Sequence, residues 1–479
     1  MQSSTVRTRL ANRLWAQRYS PRRLDSLIRA QAFAEREVLA YREDGFGMRM
    51  GEILNAWRIA QAFGARFVFM WPARDIDGIR PAELVFSSSF RDAHLVEGRD
   101  RAEYRQVGTW RGSDVRALHR GSVRGVWSIS KRSHSPKKKF VLGTDGIELP
   151  ALMSMREAFD AIDFVSDLAE IRARSQAQPE IDVVVHVRRG DIVAEGSLGS
   201  LGAAQTHKAI PLALVDRMVG SSLAQGRRVA VFGNGVDPLG LRERYPEALT
   251  ADDVVAVDQK RTDFVDFRDF CLLTRGRQII AAGSAFAMVP TLIGGGSRIT
   301  VEDWFDLEAQ HELILRQLRQ EQIPQSEVIV AVAHLLRRED RYLDPAKPLE
   351  LLEAAVAVDH DNPLLRIGYA ARLLPEAHRA EEVLRQSMPG LPALRLIQSA
   401  RSADGAIPPL AAVGGPIVQD QHWAALEETE ASGPWVNFVV GLRWVAKGLR
   451  DSGIERLSRA EIGDDDPVAH AATAQFARL

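Results

Sequence analysis

The chain has 479 residues, 46% of them hydrophobic, and a formal net charge of −1 from 62 basic and 63 acidic residues. That length predicts roughly two to four domains with sizeable cores. The balanced charge excludes a chain-wide polyanion binder such as a DNA-coating protein, so no nucleic-acid partner is expected. A single cysteine, Cys271, excludes an intramolecular disulfide framework and any multi-cysteine zinc site. It falls on the apolar face of a predicted helix, as an inert core thiol does, and fits a reducing cytoplasm. No run of about 18 apolar residues predicts a membrane span, and the N-terminus lacks the apolar stretch of a secretory signal.

Residues 1–36 carry eight arginines against Asp25 and Glu35. This basic leader is expected to be solvated or to cap the first domain; a membrane-surface helix using Leu10, Leu14 and Trp15 is the alternative. Residues 37–178 form the first expected domain. Glu37–Tyr41 predicts a strand, Arg42–Gly51 a glycine-rich loop that includes Gly45, Phe46 and Gly47, and Glu52–Phe63 a helix with Ile53, Ala56, Trp57 and Ala60 on one face. Arg66–Trp71 predicts the next strand, stopped by Pro72. The loop glycines would let backbone approach a ligand closely. Met50 breaks the G-x-G-x-x-G dinucleotide pattern, so a plain tight turn stays open. Between Val115 and Gly143 lie eight lysines or arginines and no acid, with Trp110 and Trp127 nearby. Such a stretch would attract an anionic acceptor or membrane surface, or simply be a solvated loop. Residues 153–174 predict one helix with the stripe Ala158, Ile162, Val165, Leu168.

Residues 179–307 alternate strand and helix, which predicts a parallel, doubly wound sheet. Its opening strand ends in His186-Val187-Arg188-Arg189-Gly190-Asp191. A buried β-branched run delivers a histidine, two arginines and an aspartate at its carboxyl end, where open α/β sheets bind ligands. Adjacent guanidinium forks beside a glycine turn suit a phosphate or diphosphate; an Arg–Asp pair that only ties down the turn is the alternative. Ile192–Lys208, with Glu195 and His207, predicts an active-site loop. Helices are expected from Pro211 to about Leu223 and from Thr262, as N-cap, to Thr274. Strands are expected at 228–232, 254–257, 278–282 and 299–301. The turns holding Asn234 and Asp237, and Ser284, Ala285 and Phe286, fall on the same sheet edge as His186 if the sheet is parallel. Ser284 stands where free helix N–H groups bind an anion or where an N-cap sits.

Beyond Leu307 strand signals stop, and residues 308–479 predict an all-α region. Leu349, Leu352, Ala355 and Val356, then Asn362-Pro363, then Leu365, Tyr369 and Leu373 read as a helix–turn–helix pair loosely like a tetratricopeptide repeat, without a clean 34-residue period. The fold class is therefore α/β followed by an all-α C-terminal region.

His186-Val187-Arg188-Arg189-Gly190-Asp191 resembles the H-x-R-R-x-D motif of the α-1,2-, α-1,6- and protein-O-fucosyltransferase superfamily. Asp44-Gly45-Phe46-Gly47 with its following helix and Phe67–Pro72 is similar to that family's N-terminal loop, and Phe270–Thr274 to Ser284-Ala285-Phe286-Ala287 to its last motif. The resemblance covers about residues 38–305. It implies a GT-B-like pair of Rossmann-like domains and a nucleotide-sugar donor, GDP-fucose or another, held by the second domain without metal or further cofactor. By position, Arg188 matches the arginine on the donor β-phosphate. Arg189 and Asp191 match supporting contacts, His186 the strand-end histidine, and Gly45, Phe46, Gly47, Asn234, Asp237, Ser284, Ala285 and Phe286 donor-binding loop and turn positions. Transfer to a glycan or glycoconjugate hydroxyl would be inverting, with Glu195 first and Asp191 second as candidate base. Alternatives are another nucleotide-sugar transferase, an NAD-linked enzyme, or a helical-repeat scaffold with a degenerate sugar-binding module. A cytoplasmic enzyme is expected, touching the inner membrane face or a protein partner through its basic stretches and helices.

Overall fold

The computed structural model describes residues 37–43, 45–63, 66–72, 80–98, 105–106, 125–127, 153–189, 208–233, 240–258, 260–283, 285–320, 323–387, 417–428, 433–446 and 449–460. Within them the chain is mixed α/β, with parallel sheets and many helices. No described helix is long and apolar enough to cross a membrane. The chain divides into two compact units, neither continuous in sequence. Met1–Val184, Leu249–Ile279 and Ser284–Arg298 make the first, and Val185–Ala248, Ile280–Gly283 and Ile299–Leu479 the second. The sequence reading instead draws linear boundaries after residues 178 and 307.

In the first unit, β1 (Glu37–Tyr41) pairs in parallel with β2 (Arg66–Met70), Leu39 opposite Val68. A four-stranded sheet results, in the order β2-β1-β4-β3, with β3 at Arg105–Gln106 and β4 at Gly125–Trp127. Helix α1 (Phe46–Phe63) packs on β1 and β2. It starts earlier than expected, because the Gly45 carbonyl accepts from the Met48 and Arg49 amides at 3.0 and 3.3 Å. Phe46 anchors that first turn edge-on against Trp71, Phe267 and Phe270 at 5.3–6.3 Å. Gly47 and Gly51 are buried inside the helix; about 1 kcal/mol of helix propensity for each is outweighed by that anchoring.

The single helix expected over 153–174 is two. Helix α2 (Ser88–His94) precedes them; α3 (Met155–Asp160) begins at a Ser154–Glu157 capping box, and α4 spans Ser166–Gln176. The chain breaks between them because Phe164 bridges Phe86 and Asp163 accepts from the Ser87 and Ser89 hydroxyls at 2.5 and 2.9 Å. Arg172 then donates to the Phe159 and Ile162 carbonyls left at the end of α3 (3.1 and 3.0 Å).

The second sheet has the order β7-β6-β5-β8-β9. Its strands are β5 (Ile181–His186), β6 (Val229–Phe232), β7 (Leu249–Thr250), β8 (Gly276–Ala281) and β9 (Ser297–Ile299). Val183, Val184 and Val185 are wholly buried, as a continuous β-branched run in a central strand should be. Helix α5 (Leu212–Ala224) follows β5, and α6 (Leu241–Arg244) follows β6. Strand 254–257 is absent: a Thr250–Asp253 capping box instead starts a single turn, α7 (Ala251–Val254). Helix α8 (Thr262–Leu273) has Arg261, not Thr262, at its N-cap. Helix α9 (Ala285–Gly294) joins β8 to β9. Cys271 lies in the first unit's apolar core, where burial pushes its thiol pKa up.

Beyond β9 the described residues of the second unit are mainly helical. The helices are α10 (Val301–Trp304), α11 (Leu307–Gln320), α12 (Gln325–Leu336), α13 (Ala346–Val358), α14 (Pro363–Arg372), α15 (Ala377–Ser387), α16 (Asp420–Glu428), α17 (Pro434–Ala446) and α18 (Arg450–Ser458). The expected helix pair is α13 and α14. Asn362 caps the latter by accepting from the Leu364 amide at 3.1 Å, with Pro363 at the first helical position. Helix α11 packs on α5, and each later helix packs on an earlier one, so the helices share a unit with the end of β5.

Candidate functional site

The strand order reverses at β5: β6 and β7 lie to one side of it, β8 and β9 to the other. In an open α/β sheet this reversal leaves a crevice at the carboxyl ends of the central strands. The residues delivered there by β5 are His186, Val187, Arg188 and Arg189, all in the second unit. The backbone is held from β6, where the Val187 amide donates to the Phe232 carbonyl at 2.8 Å. Gly233 follows with φ +116°, and a Cβ there would overlap the Val187 carbonyl oxygen. Only glycine fits both the conformation and the approach.

His186 is buried. Burial, and then the charge of Arg188, push its pKa down to about 4, so at neutral pH it is an uncharged imidazole beside a cation. Arg188 is half-buried. Arg189 is committed to the interior. Its Nε meets Glu327 Oε1 of α12 at 2.7 Å, and both side chains are almost wholly buried. Its Nη2 donates to the Ile210 carbonyl at 2.6 Å and its Nη1 to the Arg188 carbonyl at 3.3 Å. Burial pulls the Arg189 pKa down and pushes that of Glu327 up, and the two charges oppose those shifts. The Arg189 guanidinium is thus engaged by protein oxygens in the interior, and of the two adjacent arginines only Arg188 is partly exposed.

The other predicted residues that the structure describes lie in the first unit. Gly45 sits before the first turn of α1, Gly47 is buried within that turn, and Phe46 and Phe286 both pack on Phe270, at 5.3 and 5.8 Å. Phe46 also lines a surface depression with Trp71, Arg80, Asp263 and Phe267. Ala285 opens α9. The structure thus gathers Phe46 and Phe286 about one aromatic centre, and His186, Arg188 and Arg189 about one strand end. Asp191, Glu195, Asn234, Asp237, Ser284 and the basic stretch 115–143, apart from the short strand β4, lie outside the described residues. Among the described residues no group of three His, Cys, Asp or Glu side chains could hold a metal ion.

Among the buried charged residues that the sequence analysis does not single out, two lie beside the residues above. Arg49, at the end of the first turn of α1, donates to the carbonyls of Pro72 (2.6 Å) and Glu43 (3.3 Å) and lies over Trp71. Glu327 is the other, and its signal was present: a lone carboxylate just before the apolar run Val328–Ala333.

No family model matches the chain, and no curated protein does. Among solved structures it is similar to the fucosyltransferase NodZ from Bradyrhizobium, at 17% identity over 54% of this chain and 93% of that one, with a TM-score of 0.32. It is also similar to NodZ α-1,6-fucosyltransferase soaked with GDP-fucose (14%, 54% and 92%, TM-score 0.31). A third similar structure is POFUT1 in complex with GDP-fucose (11%, 56% and 97%, TM-score 0.28).

Proposed function

We propose that this chain is a metal-independent inverting glycosyltransferase on a GT-B-like scaffold, with GDP-fucose as donor and a glycan or glycoconjugate hydroxyl as acceptor. The observation that supports this reading is the place of Arg188, directly past the carboxyl end of the strand at which the sheet order reverses. In the reaction the acceptor oxygen attacks the anomeric carbon. The bond from that carbon to the diphosphate oxygen breaks, and its electron pair leaves with the nucleoside diphosphate. Arg188 is the fixed cation that meets the charge developing on that oxygen. A neutral His186 adds no positive charge of its own beside it. The acceptor proton passes to a carboxylate, Glu195 first and Asp191 second.

Calorimetric titration with GDP, UDP and NAD, followed by release of nucleoside diphosphate from GDP-fucose, tests the reading. GDP is expected to bind, and NAD is not. Arg188→Ala should keep the wild-type circular dichroism while turnover falls by about 100-fold or more, the usual loss on removing one preorganised group from a charge-stabilising site. Arg188→Lys keeps the charge but not the fork and should recover only part of that loss. A folded Arg188→Ala protein with full activity overturns the assignment.

A further inference from the structure

Arg188 can stabilise a leaving diphosphate only if its backbone is fixed before the donor arrives, and the Arg189 side chain does the fixing. One guanidinium binds the Arg188 carbonyl at the strand end, the Ile210 carbonyl before α5, and the Glu327 carboxylate of α12. A bare guanidinium would not stay this deeply buried, since burying an unpaired charge is costly and the cost is relieved by a partner of opposite charge. Glu327 is that partner, and it comes from the helical part of the chain, beyond the stretch that carries the family motifs. We propose that Glu327 is a positioning residue: by holding Arg189 in place it fixes the backbone of Arg188, so that the C-terminal helices complete the donor site rather than hang from it. The functional half of this inference rests on the reading of Arg188 given above; the structural half does not.

Three full-length variants test it. Glu327→Asp shortens the brace by one methylene and keeps its charge. Glu327→Gln keeps the shape and strands the arginine charge. Because that variant could fail to fold, a third, Arg189→Met with Glu327→Met, removes both charges and fills the space. Replacing a buried ion pair by apolar side chains of similar size commonly leaves stability intact. Two quantities are read on each: hydrogen exchange of the Val187 amide, and kcat and KM for GDP-fucose. The double variant should melt within about 5 °C of wild type. Its Val187 amide should exchange at least about tenfold faster, and kcat should fall by about 100-fold, the scale of loss when a catalytic group is displaced by about an ångström. Glu327→Asp should lie between the double variant and wild type in both readouts. A folded double variant with wild-type kcat overturns the proposal, as does one with wild-type exchange. If the wild-type chain turns over no nucleotide-sugar while the exchange response is present, the transfer reading fails and the brace stands.

Discussion

At the scale of single residues, two glycines with positive φ differ in what a side chain would cost, and only one of them, Gly233, meets the end of β5. Gly233 combines a positive φ of 116° with a backbone contact that leaves no room for a Cβ. Gly226 also has a positive φ, 71°, but open space around it. Gly233→Ala should therefore cost about 3 kcal/mol or more, strain plus overlap, whereas Gly226→Ala should cost about 1 kcal/mol from strain alone. Urea unfolding of the two variants measures the difference, and equal losses would remove the close approach from the account. The contrast also marks what the sequence could disclose. A strand run that stops at Arg188-Arg189-Gly190 is legible, because β-branched residues and a glycine report on local backbone. The partner of Arg189 is not, because Glu327 is far along the chain and the pair forms only once helix α12 has docked.

At the scale of elements, periodicity alone marks some segments, a local cap overrides it in others, as where the Thr250–Asp253 capping box replaces the strand expected at 254–257, and distant side chains decide the rest. The central strands of the second sheet and the α13–α14 pair with its Asn362-Pro363 turn were readable. The start of α1 was not, since three glycines predict a loop and only the aromatic ring contacts of Phe46 with Trp71, Phe267 and Phe270 turn it into helix. The break between α3 and α4 was hidden for the same reason, set by Phe86 and the hydroxyls of Ser87 and Ser89. Helix α1 should accordingly depend on Phe46 more than a half-buried residue would suggest. Phe46→Ala should cost about 3 kcal/mol, while Phe46→Leu, which keeps most of the volume, should cost less than about 1.5 kcal/mol. Thermal melts compare the two, and amide exchange at Met48 and Arg49 should accelerate in the alanine variant before any global loss. Equal stability of both variants would mean that the ring contacts do not set the helix start.

At the scale of the whole molecule, acid should unfold this protein through histidines before carboxylates. His186 and His334 are both buried, and burial holds each imidazole at about 4, helped by the charges of Arg188 and Arg337 respectively. The ring of His334 is hydrogen-bonded to the Gln310 side chain at 2.7 Å. Below an unfolded pKa of about 6.5 the unfolded chain binds these protons and the folded chain does not, so stability rises with pH through this window and falls as pH drops through it. The two sites together remove up to about 6 kcal/mol between pH 6.5 and 4, set against a typical total of about 5–15 kcal/mol. His94 and His311 shift in the same direction. Glu339 acts later. Burial would raise its carboxyl, but His422 and Arg372 outweigh that and hold it at about 2. Its contribution is complete above about pH 4.5 and fades only below it, by which point the histidine sites have taken most of their share. Unfolding free energies measured by urea at pH 7, 5.5 and 4.5 should thus decline steadily, with cooperative unfolding before about pH 4. A His334→Gln variant should start lower at pH 7 but lose about half as much over the same interval. An identical slope in that variant would assign the acid sensitivity to other groups.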